Sequence, residues 1–109
     1  MRDTLAAGAE RRRSQRLTLV EPIKVEWQDT SGLNIKALAE TAVVNAHGGL
    51  LRMKARPPNA EAVQLTRDRT GESTWVRVLQ VSELLEDDLR RVAVELIVPS
   101  QTFWRVTTP

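Results

Sequence analysis

The chain contains no cysteine and a single histidine, His47. The first absence excludes disulfides, thiolate metal sites and cysteine nucleophiles. It also fits a reducing compartment, so a cytoplasmic location is expected. The second absence excludes a multi-histidine metal centre within one chain, and any Ser-His-Asp relay would have to use His47. Aromatic residues are scarce: Trp27, Trp75, Phe103 and Trp104 are the whole set. No apolar run approaches the roughly 20 residues that a membrane-spanning helix needs, so no membrane insertion is expected. Residues 1–16 carry charge but no apolar segment, which is not the pattern of a secretory signal.

What is present amounts to one domain. The 109 residues, 41% hydrophobic and 28% charged, have the composition of an ordinary folded protein. A chain of this length can bury roughly two-thirds of its unfolded surface around one core. The net charge of +2 is unevenly spread. Residues 1–20 hold five arginines against Asp3 and Glu10, which makes this segment +3 and leaves the other 89 residues at −1. The basic character is therefore an N-terminal property, and any argument for an anionic partner begins there.

Along the chain, residues 1–10 are weakly patterned and read as a flexible tail ahead of a domain spanning 11–109. Period-two alternation then marks strands. Ile23, Val25 and Trp27 alternate with Lys24 and Glu26, with Pro22 just before them. Residues 28–32 form a turn cluster. In 33–45, Ala37, Leu38, Ala39 and Ala42 have helical spacing, but the β-branched pair Val43-Val44 favours a strand running to Asn45. Asn45-Ala46-His47-Gly48-Gly49 reads as a turn in which Asn and Gly supply left-handed backbone. Leu50 to Met53, Val63 with Leu65, Thr74 to Val81 and Arg91 to Ile97 read as further strands. They are separated by the Arg56-Pro57-Pro58-Asn59 break, the Asp68–Glu72 turn and the acidic loop Glu83–Asp88. Ser100 is placed to cap a short helical turn carrying Phe103 and Trp104. Six or so short strands at this spacing predict an all-β fold, a small antiparallel barrel or sandwich.

Few segments carry chemistry. Arg11-Arg12-Arg13-Ser14-Gln15-Arg16 concentrates planar guanidinium groups, which pair with phosphate in a bidentate way and stack on flat π systems. A solvated basic tail accounts for the same charge. The Asn45–Gly49 turn offers a side-chain amide that can read a base edge, and glycines that let a ligand approach the backbone. Taken alone, the segment is better accounted for by a plain hairpin turn. No Asp, Glu or Ser is spaced around His47 as a relay. The set Glu83, Glu86, Asp87 and Asp88 lacks the ligand spacing of a calcium loop. The aromatics are segregated from the arginines, which argues against a single-stranded nucleic-acid platform. No phosphate loop or dinucleotide fingerprint is present. With no nucleophile–base pair and no metal constellation, a non-catalytic protein without a cofactor is expected.

Taken together, the arginine cluster, the strand after it and the Asn/Gly turn some thirty residues later resemble the PilZ domain family. The ending, Arg91-Val92-Ala93-Val94-Glu95-Leu96-Ile97 followed by Phe103-Trp104, is similar to that family's closing strand and the hydrophobic pair beyond it. The resemblance spans residues 10–104. It implies a six-stranded antiparallel β-barrel with a basic N-terminal arm, binding the bacterial second messenger cyclic di-GMP. Arg12-Arg13-Ser14-Gln15-Arg16 fits the family's Arg-x-x-x-Arg signature, with Arg12 and Arg16 as the pair and Arg13 between them. Of the second signature, Asp/Asn-x-Ser-x-x-Gly, Asn45 matches the first position, His47 stands where Ser is expected, and Gly49 arrives one residue early. The ligand-binding set implied is Arg12, Arg13, Arg16, Asn45, His47 and Gly49. Two alternatives remain beside it. One is an adaptor of the same fold that binds no nucleotide and acts through an unidentified protein partner. The other is a non-specific nucleic-acid binder using the basic arm.

Overall fold

The structure, a computed structural model, describes residues 16–100 and 102–104. Seven strands make up its regular structure: β1 (Leu17–Thr18), β2 (Pro22–Gln28), β3 (Asn34–Asn45), β4 (Gly48–Met53), β5 (Ala62–Arg67), β6 (Ser73–Val81) and β7 (Arg90–Leu96). All pairings are antiparallel. The sheet runs β1-β3-β2-β5-β6-β7-β4, and β4 returns to pair with β3. Strands β2 to β7 therefore form a closed six-stranded barrel, which leaves none of its six strands unpaired along a whole edge. β1 is a short extra strand on β3. The tail expected over residues 1–10 and the first five positions of the expected arm lie outside the described residues.

The barrel interior follows from the alternation in the sequence. Ile23 and Val25 of β2, Leu51 and Met53 of β4, Val63 and Leu65 of β5, Val76 and Val78 of β6, and Val92, Val94 and Leu96 of β7 are all buried. Aliphatic, largely β-branched side chains suit such a half-buried pleated surface. Phe103 and Trp104 join this core from the C-terminal side, with their rings edge to face at a centroid distance of 4.8 Å.

Two bulges reset the alternation. In β3 the register against β4 shifts between Thr41 and Val43. Thr41 is buried and Val44 is the next buried residue, so Ala42 is the extra residue. The helical spacing of Ala39 and Ala42 is thus the signature of a bulge within one 12-residue strand. In β6 the register against β7 shifts between Val78 and Gln80, so that Leu79 and Gln80 are exposed in succession before Val81 turns back toward the core.

β1 and β2 lie on the same edge of β3 with a break between them. The break is bridged by Thr41, whose hydroxyl donates to the Leu19 carbonyl and accepts from the Glu21 amide at 3.0 Å. Asp29 closes the β2–β3 turn by accepting from the Ser31 hydroxyl and from the Ser31 and Leu33 amides. The Ser31 hydroxyl bond, followed by that from Leu33, holds the Asp29 carboxyl below its ordinary value.

Two expectations are corrected. No helical turn carries Phe103 and Trp104: residues 102–104 are bends. Ser100 Oγ does accept from the amides of Thr102 (3.2 Å) and Phe103 (3.0 Å), as a cap would. Burial of both rings against the core sets the backbone path there. The Asn45–Gly49 turn is also shorter than expected. Only Ala46 and His47 form it, and Gly48 and Gly49 are extended residues of β4.

Candidate functional site: a concavity between the β3–β4 hairpin and the first strand

Register alone brings two distant parts of the sequence together. Leu17 pairs with Val44 and Thr18 with Val43. Continuing that antiparallel ladder by one residue sets Arg16 beside Asn45. The result is an open concavity of about 330 Å³. Arg16, Asn45, His47 and Gly49 line it, together with Gly48, Leu50, Leu79 and Glu95. Of the six residues the sequence nominated, these four are gathered in one place. Arg12 and Arg13 lie outside the described residues.

The hairpin geometry explains why this wall has its shape. The closing pair is Asn45 with Gly48. Positive backbone φ occurs at Gly32, Ala60, Gly71 and Asp88, and at no residue of this hairpin. Two-residue hairpins usually use left-handed residues to match strand twist. Here the Asn45 side chain substitutes for that device: its Oδ1 accepts from the amides of His47 (2.7 Å) and Gly48 (3.0 Å). This is an Asx-type turn, in which a side-chain carbonyl stands in for a backbone acceptor. The Asn45 oxygen is therefore engaged inside the turn, while its amide nitrogen is available to a ligand. The His47 carbonyl accepts from the Leu96 amide at 2.6 Å, which ties the hairpin to β7, and the His47 side chain is exposed.

The glycines answer a packing need. A Cβ on Gly48 would lie 2.1 Å from the Val94 carbonyl oxygen and 2.9 Å from the Glu95 Cα. These neighbours are all backbone atoms of β7, so no flexible side chain can give way. Gly48→Ala is therefore expected to cost about 1–3 kcal/mol, the range for forcing atoms into packed protein. Thermal denaturation of the purified variant reads this directly, and an unchanged melting temperature would contradict it. A Cβ on Gly49 would lie 2.9 Å from the Val43 carbonyl oxygen and 3.6 Å from Trp104 Cζ2. The bare backbone at Gly49 thus makes room for the Trp104 ring behind the concavity.

Sequence reasoning missed Glu95 and Leu79. Glu95 is the one charged residue in Val92-Ala93-Val94-Glu95-Leu96-Ile97, and alternation with Val94 and Leu96 already turns it outward. Leu79 follows Val76 and Val78 in the same alternation, which already turns it outward toward the rim. The concavity therefore holds one described cation, Arg16, one carboxylate, Glu95, a flanking imidazole and an apolar edge. Among the described residues, no group of three or more His, Asp or Glu is placed to hold a metal ion. Among them, too, no helix is long and apolar enough to cross a membrane. No protein-family model, curated protein or solved structure matches the chain.

Proposed function

We propose that this protein is a non-catalytic receptor module for cyclic di-GMP, built as a PilZ-type barrel. The observation that carries the reading is the meeting of Arg16 with the Asn45–Gly49 hairpin around one concavity. The ligand is a dianion with two purine faces. Arg16 answers both features, because a guanidinium pairs with phosphate and stacks on a flat ring. The Asn45 amide nitrogen donates to a purine acceptor, and the exposed His47 ring lies beside it. Glu95 complements the opposite edge, since guanine N1–H and N2–H₂ are donors and a carboxylate accepts only. The volume of about 330 Å³ sits at the small end of ligand pockets. By the resemblance, Arg12 and Arg13 would add their guanidinium groups to the contacts with the phosphates. Neutralising that basic segment would alter the surface offered to a partner protein.

Calorimetric titration with cyclic di-GMP tests this. The expected result is one site in the micromolar range, weakened about tenfold or more by Arg16→Ala, the loss of one charge-assisted contact. Folded protein that gives no heat would sink it.

The adaptor reading keeps one specific support. The Asn45 carbonyl oxygen is consumed by its own turn, so half of that side chain's recognition capacity is unavailable. If no nucleotide binds and a partner still binds the Arg12→Ala/Arg16→Ala double variant, the adaptor is the better account.

A further inference from the structure

We propose that the barrel carries a second binding site on the outer face of β2, β5 and β6, where an exposed indole beside uncompensated carboxylates takes an arginine side chain of a partner protein. This surface shares no residue with the concavity assigned to the nucleotide, and it stands independently of that reading.

The site begins with register. Glu26 of β2 pairs with Gln64 of β5, and Gln64 pairs with Trp75 of β6. These three side chains therefore form one row across three strands, on the face opposite the core residues Val25, Val63, Leu65 and Val76. Trp75 is 53% exposed, an unusual position for the largest apolar side chain on a barrel with an aliphatic interior. Around this row lies a depression of about 660 Å³, whose wall also includes Trp27, Gln28 and Glu61. It is twice the volume of the concavity beside Arg16.

The chemistry of the wall selects the ligand. Three carboxylates face the depression, Glu26, Asp29 and Glu61, and no lysine or arginine lines it. Asp29 is already engaged in closing the β2–β3 turn. Glu26 and Glu61 form no ion pair among the described residues. Lys36 is opposite Glu26 in the β2–β3 register, yet the two are not in salt-bridge contact. The carboxylates are spread along the wall, and the described residues contain no metal-type grouping. A hard cation is therefore a poor fit, and an extended organic cation is a good one. An arginine side chain lays its apolar stem along an indole face while its guanidinium donates to carboxylate and amide oxygens in one plane. Glu26 and Trp75 stand two strands apart, about 10 Å at the backbone, with Gln64 between them. An arginine side chain lying across Gln64 meets the indole along its length and a carboxylate at its head. A neutral saccharide would use the indole and the amides but leave both carboxylates uncompensated.

Calorimetry of the full chain with a hexa-arginine amide peptide is the test. Saturable binding is expected, weakened about tenfold by Trp75→Ala, as for loss of the apolar face on which the arginine stem lies, and about tenfold by Glu26→Gln/Glu61→Gln. Trp75→Phe should hold affinity within a few-fold, because it keeps a ring. All of these positions face outward, so the melting temperature should stay near that of the parent. Arg16→Ala should leave peptide binding unchanged, which separates this site from the nucleotide site. Equal weakening by Glu86→Gln/Asp88→Asn in the β6–β7 loop would overturn the proposal in favour of diffuse attraction. Binding of cellotetraose that depends on Trp75, with no peptide binding, would overturn it in favour of a saccharide. Self-association lost on replacing Arg11, Arg12 and Arg13 by alanine would overturn the partner-protein assignment in favour of a second copy.

Discussion

Arg67→Ala is expected to lower stability by about 3–5 kcal/mol, the cost of leaving one member of a buried ion pair alone. Arg67 ends β5 at an inward-facing position. Its side chain is 6% exposed and that of Glu21 is 1% exposed. Nε and Nη2 donate to the two Glu21 carboxylate oxygens at 2.5 and 2.9 Å, and Nη1 donates to the Phe103 carbonyl at 2.6 Å. One guanidinium thus joins the segment before β2, the end of β5 and the C-terminal bend. Removing it strands both the carboxylate and the carbonyl. Domains of this kind have about 5–15 kcal/mol in total. The melting temperature should therefore fall by roughly 15–25 °C, at about 5 °C per kcal/mol. The paired replacement Glu21→Met/Arg67→Leu separates cause from effect. It removes both charges and should recover most of the loss, because apolar pairs of similar size often replace buried ion pairs at little cost. Circular-dichroism melts of the three proteins decide it. A double variant as unstable as Arg67→Ala would mean that the guanidinium acts through packing and the Phe103 carbonyl, and that the stranded charge matters little.

Trp104→Ala is expected to cost a similar amount, about 3–5 kcal/mol. The ring is 3% exposed, packs edge to face on Phe103, and approaches the barrel where Gly49 has no side chain. Truncation empties that space, and the surrounding strands cannot collapse into it while the β3–β4 and β4–β7 ladders hold. The indole Nε1 is buried with no hydrogen-bond partner among the described residues. Trp104→Phe therefore gives up no hydrogen bond and removes a desolvated donor, so it should cost far less than Trp104→Ala. Urea denaturation of both variants measures the difference. Equal losses would show that the ring's exact volume, rather than the presence of an aromatic plug, sustains this end of the barrel.

The strands were legible wherever alternation was clean. Ile23-Val25, Val63-Leu65 and Val92-Val94-Leu96 each face the interior as period two predicts. The long strand β3 was legible only in its β-branched end, because the bulge at Ala42 mimics helical spacing. Arg67 follows Val63 and Leu65 in the same alternation, so its inward direction could have been read, but its partner Glu21 lies 46 positions away and no local pattern joins them. The hairpin illustrates a right location with a different cause. Asn45 and the glycines mark a turn, yet the Asn acts through its side-chain oxygen, and Gly48 answers the close approach of Val94. Arg16 and Asn45 were nominated from separate motifs. Their proximity depends on the two-residue strand β1, which is too short to announce itself by periodicity.

The most direct measurement of the central claim is a set of backbone amide chemical shifts, recorded as cyclic di-GMP is added to the labelled protein. The account predicts saturable changes concentrated at Arg16, at Asn45 through Leu50 and at Ala93 through Glu95, with residues of β5 unaffected. Spectra unchanged at millimolar ligand, or changes confined to the Trp75 face, would contradict it.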